Sequence, residues 1–599
     1  MSLTTLCDLS ASAMAKRVRD KSVSPVELVR ACLERAELVQ PKLNPFCFIY
    51  PEEALDRARA AEQAALSGDP LGPLHGVPIA IKDFTPTRGK TTTRGSAAFK
   101  DWVPDRDAVI VDRLAGAGAI LLGKTTTPEF AYSGFTRSPV WGHTRNPWDP
   151  TTTSGGSSGG SAVAVATGCV ALAEGSDMGG SVRIPAALCG IVGLKPSLGR
   201  IPMDILFTVF DSISHFGPLA RTVDDAALFL RVTQGPHDAD IQSQVAPLAL
   251  PRRLTGKVKG MRLALSRDLG FYHVEPDVIA NLLSAAKHLE SQGAEIEEVA
   301  LDWSVEVVTA WTAYWGVFLA AAFGDCLARY RDEMDPAVVV LIEAGLKLDA
   351  VGFKRLEEVR TRQWHGLARI LARCDALLCP TMTRGAPPVE AGDGQFERID
   401  AQGRLHGLDM TSPFNNVAQC PALSVPSGFT AAGLPSAVQI VGRRFDDPTV
   451  LTIGKAVEAW CAAAAPGAIP FVRQVVLYRG EEERAEPPAL GSGLADRLFL
   501  QQAGEEPLGQ VFGVGGGEPA GADVGVDRVP VGLAEGGQGA AGLGSAPPHG
   551  GEDDRPVRGL EATARARRGS RARAGWAGHG RGLPRATDPA AGPGVARAR

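Results

Sequence analysis

Two Gly/Ser-rich turns concentrate the residue types that could do chemistry. Gly155–Ser161 reads GGSSGGS, and Asp177–Ser181 reads DMGGS. A serine hydroxyl can attack a carbonyl or relay a proton. Consecutive N–H groups in a glycine turn form a concavity that holds negative charge, and the missing side chain lets a ligand come close. Between the turns lie Ala162–Ala166 and Cys169–Ala173, small apolar segments of the buried kind. A flexible linker would not be built that way, so the two turns read as one composite site. Lys82 is a further candidate, because it ends the apolar run Val77–Ile81. On its own, a lysine there reads as a side chain snorkelling to solvent.

The elements around these residues alternate. Ser24-Pro25-Val26-Glu27 is a capping box with proline at the first helical position. It opens one of two amphipathic helices expected over residues 10–40, with a third over Glu52–Leu66. Val77–Ile81 and Ala119–Leu122 read as strands, with a helix over Asp107–Gly116 between them. Further strands are expected at Met261–Leu265, Ile296–Leu301, Ala376–Cys379, Ala422–Val425 and Ala437–Val441. Helices are expected at Thr222–Val232, Pro276–Gln292 and Pro448–Trp460, and residues 303–373 read as mainly helical. This alternation predicts an α/β fold.

Gly118–Thr125 fits the G-x-x-x-x-G-K-[ST] phosphate-loop pattern, which needs a strand, then a loop, then a helix. Here a helix precedes the first glycine and the middle residues read as a buried strand. Nucleotide binding is therefore the competing class, and the weaker one.

Composition sets outer bounds. The chain has 599 residues, 44% of them hydrophobic and 22% charged, as expected of an ordinary soluble globular protein. A net charge of -5 offers nucleic acid no overall attraction. No apolar run reaches the roughly 20 residues of a bilayer span, and the N-terminus lacks the pattern of a signal peptide. The 10 cysteines are scattered without a C-x-x-C pair, which suits a reducing, cytoplasmic setting. The histidines show no H-x-x-x-H metal spacing. Past residue 470 the composition turns to Gly, Ala, Arg and Pro, and Lys, Asn, Ile, Met and Cys vanish. Residues 471–599 therefore read as a low-complexity, disordered tail, of the kind a shifted reading frame in a GC-rich gene would give, after a catalytic domain spanning 1–470.

Taken together, the motifs closely resemble the amidase signature family of serine hydrolases. The resemblance rests on GVPIAIKD at Gly76–Asp83, GKTTTPEFA at Gly123–Ala131, NPWDP at Asn146–Pro150, GGSSGGS at Gly155–Ser161, DMGGSVRIP at Asp177–Pro185, GLKPS at Gly193–Ser197 and DSISHFGPLARTV at Asp211–Val223. It covers roughly the first three-quarters of the chain, to near Trp460. Thr126, where the family often has Asn, and Glu174-Gly175-Ser176, where Leu-Gly-Thr is common, depart from the pattern.

The resemblance implies a large mixed β-sheet covered by helices and an amide hydrolase that uses no metal or cofactor. By position it makes Ser181 the nucleophile, Ser157 the bridging serine and Lys82 the base. Burial would keep that lysine neutral enough to take a proton. Gly156–Ser157 falls where the family has a cis peptide bond. The backbone N–H groups of Met178, Gly179, Gly180 and Ser181 correspond to the oxyanion hole, and Ala131 to the acyl pocket. Asp177 and Arg183 are expected to pair and hold the turn, with Ser158 and Ser161 as loop hydrogen-bonders.

The expected partner is a small-molecule amide, with no nucleic acid and no membrane; a homodimer is compatible with the resemblance. Two alternatives within the family are the glutamine-hydrolysing subunit of a tRNA-dependent amidotransferase, which usually has Gln where Ile184 stands, and allophanate hydrolase, which carries a C-terminal extension. Trp303, Trp311, Tyr314, Trp315, Phe318 and Phe323 crowd the family's variable region. The three- and four-residue steps from Trp311 to Phe318 predict one aromatic helix face, and with it a preference for bulky or aryl acyl groups.

Overall fold

The computed structural model of the chain describes residues 3–464; the expected tail over 471–599 and the boundary at 470 lie outside the described residues. Eleven strands form one sheet: β1 (Phe46–Ile49), β2 (Pro78–Lys82), β3 (Ile120–Thr125), β6 (Leu172–Asp177), β7 (Val192–Lys195), β8 (His215–Ala220), β9 (Arg262–Leu265), β10 (Glu295–Glu298), β11 (Ala376–Pro380), β12 (Ala422–Phe429) and β13 (Pro435–Gly442). The two-residue strands β4 (Arg137–Ser138) and β5 (Gly142–His143) form a separate hairpin. The sheet order is β1-β3-β2-β6-β8-β7-β12-β13-β11-β9-β10. Its pairings are mixed: β2 runs parallel to both β3 and β6, while β6, β8, β7, β12 and β13 alternate in direction. This is the α/β architecture with a large mixed sheet that the sequence predicts.

Every residue of β2, β6, β7, β8, β11 and β13 is buried. A sheet buried on both faces must be covered by helices on both. One cover is the helix Pro25–Leu43, which starts as read: the Ser24 hydroxyl accepts from Val26 N while the Glu27 carboxylate accepts from Ser24 N. Another is Val223–Thr233, whose cap Thr222 accepts from Asp225 N.

The helix Gly159–Ala166 is wholly buried and built of glycine, alanine, serine and valine. Small residues are required because it lies hard against the end of β3. A Cβ on Gly160 would sit 2.3 Å from Thr126 Oγ1 and 2.5 Å from the Pro45 carbonyl oxygen. That close approach fixes the turn that leads into the helix, and with it Ser157.

Gly118–Thr125 is not a phosphate loop. β3 continues through Gly123-Lys124-Thr125, beyond the expected end at Leu122, and pairs with β1 and β2 over that length. Lys124 is fully buried and donates to the Thr85 carbonyl and to the Thr87 and Thr92 hydroxyls.

Gly160→Ala should destabilise the protein by about 1–3 kcal/mol through overpacking against backbone that cannot move away. Denaturant unfolding with an unchanged m-value would check it.

Candidate active site

Lys82 is the last residue of β2, and β6 lies beside it in the sheet. It does not snorkel: its side chain is fully buried. The Nζ donates to Ser157 Oγ at 2.6 Å and to Ser176 Oγ at 3.0 Å. Its backbone N–H donates to the Glu174 carboxylate, which also accepts from the Thr85 hydroxyl. Burial lowers the lysine to a pKa of about 7, against the opposing pull of the Glu174 and Asp177 carboxylates. An amine in that state can exchange a proton near neutral pH.

Ser157 stands after the cis peptide bond Gly156–Ser157. The next residue ties this turn to the second one, since Ser158 N donates to the Ser181 carbonyl at 3.1 Å. The two glycine turns therefore lie side by side, as a composite site requires. Ser158 and Ser161 bond locally, to the Ser176 and Glu174 carbonyls.

The turn Asp177–Ser181 is held by a buried ion pair. Arg183 Nε and Nη2 meet the two carboxylate oxygens of Asp177 at 3.0 and 2.8 Å, with both side chains fully buried. The rest of the guanidinium donates to the Thr411 carbonyl, Gln439 Oε1 and Asn415 Oδ1. Burial alone would raise the Asp177 carboxyl; the guanidinium and its hydrogen bonds instead hold it well below the usual carboxylate range. Asp177 in turn accepts from Gly180 N at 2.9 Å and Val182 N at 3.2 Å.

That arrangement narrows the anion-binding donors. Gly180 N–H is already bonded to Asp177, so it is not free for a developing oxyanion. The N–H groups of Met178, Gly179 and Ser181 have no acceptor among the described residues. Two carbonyls of the turn are tied back, Met178 to Trp311 Nε1 at 2.8 Å and Gly179 to the Thr411 hydroxyl at 2.6 Å. Gly180 has φ 129°, a conformation open to glycine, and a Cβ there would collide with Thr411.

Ser181 opens onto a cavity of about 550 Å³. Met178, Gly179, Ala131 and Ile184 line it with Ser181, and helices Glu306–Phe323 and Pro336–Lys347 supply much of the wall. The aromatic face expected on the first helix forms in part, since Trp311 stacks on Trp315 and Trp315 stacks on Phe318 at 5.1 Å. Trp311 and Trp315 line the cavity, but Tyr314 packs on Phe353 at 4.7 Å and under Arg360, and Phe318 on Phe207. Trp303 packs beside Phe414, and Phe323 stacks on Phe130. This helix touches the cavity, helix Pro336–Lys347 and helix Ala350–Leu371, so its aromatics are shared among several buried sides.

Sequence reasoning missed Ser176, Trp311 Nε1 and Thr411 as partners of the site. Glu174, which follows the small apolar run Cys169–Ala173, was a readable signal of a buried polar contact; the others join segments too far apart for any local pattern. His273, Asp400 and His406 also converge, although no sequence spacing suggested it. The two rings stack 4.2 Å apart, Arg398 contacts His406, and Arg404 pairs with Asp400.

The family model described as Amidase matches residues 27–451. An acylamidase of Rhodococcus erythropolis is 38% identical over 461 residues, 75% of this chain and 95% of that protein. A glutamyl-tRNA(Gln) amidotransferase subunit from Chloroflexus aurantiacus is 36% identical over 484 residues, 76% of this chain and 97% of its own. Among solved structures, a bacterial aryl acylamidase of the amidase signature enzymes superimposes with a TM-score of 0.71 at 29% identity, covering 78% of this chain and 98% of that one.

Replacing Arg183 by Met should cost about 3–5 kcal/mol, because it leaves Asp177 buried without its counter-charge. Breaking the exposed Arg362–Glu306 pair the same way should leave stability nearly unchanged. Chemical denaturation of the two variants side by side checks the contrast.

Proposed function

This chain belongs to the amidase signature family of amide-hydrolysing enzymes, and on that premise we propose that Ser181 is its nucleophile, Ser157 its proton relay and Lys82 its base. The observation that carries the assignment is the 2.6 Å contact from a fully buried lysine amine to Ser157 Oγ. A serine hydroxyl is a weak nucleophile until a base draws its proton. In the proposed reaction Ser181 Oγ attacks the amide carbonyl, its proton passes to Ser157, and the Ser157 proton passes to Lys82. The tetrahedral oxyanion forms against the free N–H groups of Met178, Gly179 and Ser181. As the C–N bond breaks, the proton returns through Ser157 to the leaving nitrogen. Water then cleaves the acyl-enzyme by the same route.

The preferred acyl group is bulky or aryl rather than acetyl. Support comes from the cavity volume, from Trp311 and Trp315 in its wall and from the small Ala131 in its lining. The names of two similar proteins, an acylamidase and an aryl acylamidase, point the same way. Ile184 lines the cavity where the glutamine-hydrolysing subunit usually carries Gln, which weighs against glutamine as substrate. The ten unpaired thiols support residence in the cytoplasm.

A fluorophosphonate should label Ser181, as read by peptide mapping; a label on Ser157 would reassign the nucleophile. Lys82 is competent only when neutral, so kcat/KM should rise with pH through about 7 and level off above it. Lys82→Ala should remove that limb and lower turnover by several orders of magnitude. Ala131→Phe should lower kcat/KM for an aryl acyl amide about tenfold more than for acetamide; equal losses would place the acyl group elsewhere.

A further inference from the structure

The charged residues lining the cavity beside Ser181 are all acidic. Asp393, Glu397 and Asp409 contribute carboxylates, and no Lys, Arg or His is among the lining residues. Asp393 is fixed in place by Gly134 N at 3.0 Å and by the Ser133 hydroxyl. Asp409 Oδ1 accepts from Thr411 N at 2.8 Å, on the segment that also holds the Gly179 carbonyl. Both carboxylates are thus held in the wall of the cavity, while Glu397 is exposed.

Cations on the surrounding segments are engaged elsewhere, among them Arg398 with His406 and Arg404 with Asp400. Arg183 is paired to Asp177. Arg137 pairs with Asp335 at 3.3 Å, and Arg384 pairs with Glu275 at 3.5 Å and lies over the Phe396 ring. A substrate carboxylate entering this cavity would leave water, find no cation and face like charge. An ammonium of the same size would find three acceptors.

Resting on the amide-hydrolase reading, we propose that this cavity sorts amides by charge: it takes neutral and amine-bearing acyl chains and rejects those carrying a carboxylate. The substrate class is then an apolar amide whose far end is uncharged or cationic. Monoamides of dicarboxylic acids, which carry a carboxylate and no ammonium, are excluded by electrostatics.

A matched five-carbon series isolates charge from size: pentanamide, 5-aminopentanamide and the monoamide of glutaric acid. The acid monoamide should show a kcat/KM on the order of 100-fold below pentanamide, and 5-aminopentanamide should equal or exceed pentanamide. In a Glu397→Gln, Asp393→Asn double variant the ratio of acid monoamide to pentanamide should rise about tenfold, with pentanamide in each preparation as the internal reference. A second readout needs no turnover. Pentylammonium should slow fluorophosphonate labelling of the active serine at concentrations where pentanoate does not. An acid monoamide within about threefold of pentanamide, an unchanged ratio in the double variant, or equal protection by pentanoate would each overturn the charge filter. Failure of all three amides to turn over, with labelling intact, would instead overturn the substrate class of the amide-hydrolase reading; the protection experiment would still decide the charge question.

Discussion

An amine held out of water has few ways to stay there, and Lys82 sets the terms for the site around it. Burial disfavours the ammonium and lowers the lysine to a pKa of about 7. What remains must be met by acceptors, and these are two hydroxyls, Ser157 from its glycine turn and Ser176 from β6, which the fold brings to the end of β2. The small-residue helix behind Ser157, the cis bond before it and the carboxylate of Glu174 on the Lys82 backbone all serve that placement. Two other lysines are buried as deeply. Lys124 meets the Thr85 carbonyl and two threonines, and Lys195 meets the carbonyls of Pro196, Ala418 and Cys420. Their amines brace loops. Lys82 alone of the three donates to a serine, and that serine lies beside the turn that opens on the cavity.

The second constraint is the Asp177–Arg183 pair. It fixes the turn after β6 so that Gly180 N–H is committed inward, while the N–H groups of Met178, Gly179 and Ser181 keep no acceptor among the described residues. A buried pair of this kind is weak evidence for stability by itself, because desolvation offsets much of the attraction. Its value here lies in orientation: Gln439 on β13, Asn415 and the Thr411 carbonyl all converge on the one guanidinium. The turn is therefore anchored to distant parts of the chain.

The sequence was most legible where the physics is local. The capping box at Ser24, the cap at Thr222, the strand ending at Lys82 and the breaking of the phosphate-loop pattern by β3 all follow from neighbouring residues. The two glycine turns also read as one composite site, and Ser158 N does donate to the Ser181 carbonyl. Periodicity held only in part on the helix Glu306–Phe323: Trp311, Trp315 and Phe318 stack along one face, but Tyr314 packs on Phe353, because a helix buried on several sides carries aromatics for more than one of them. It was also silent on the contacts from Trp311 to Met178, 133 residues apart, and from Arg183 to Gln439, 256 apart. Nor does composition reveal that Gly180 N–H is occupied, since that depends on where the Asp177 carboxylate is aimed.

The account stands on a lysine that is neutral at working pH because it is buried against Ser157. The most direct measurement is an NMR titration of protein labelled at the lysine ε-carbons, with the Lys82 signal identified by its loss in Lys82→Met. A signal that titrates near pH 7 is the expected result. A Lys82 that stays protonated to the ordinary lysine range, near about 10.4, would contradict the account.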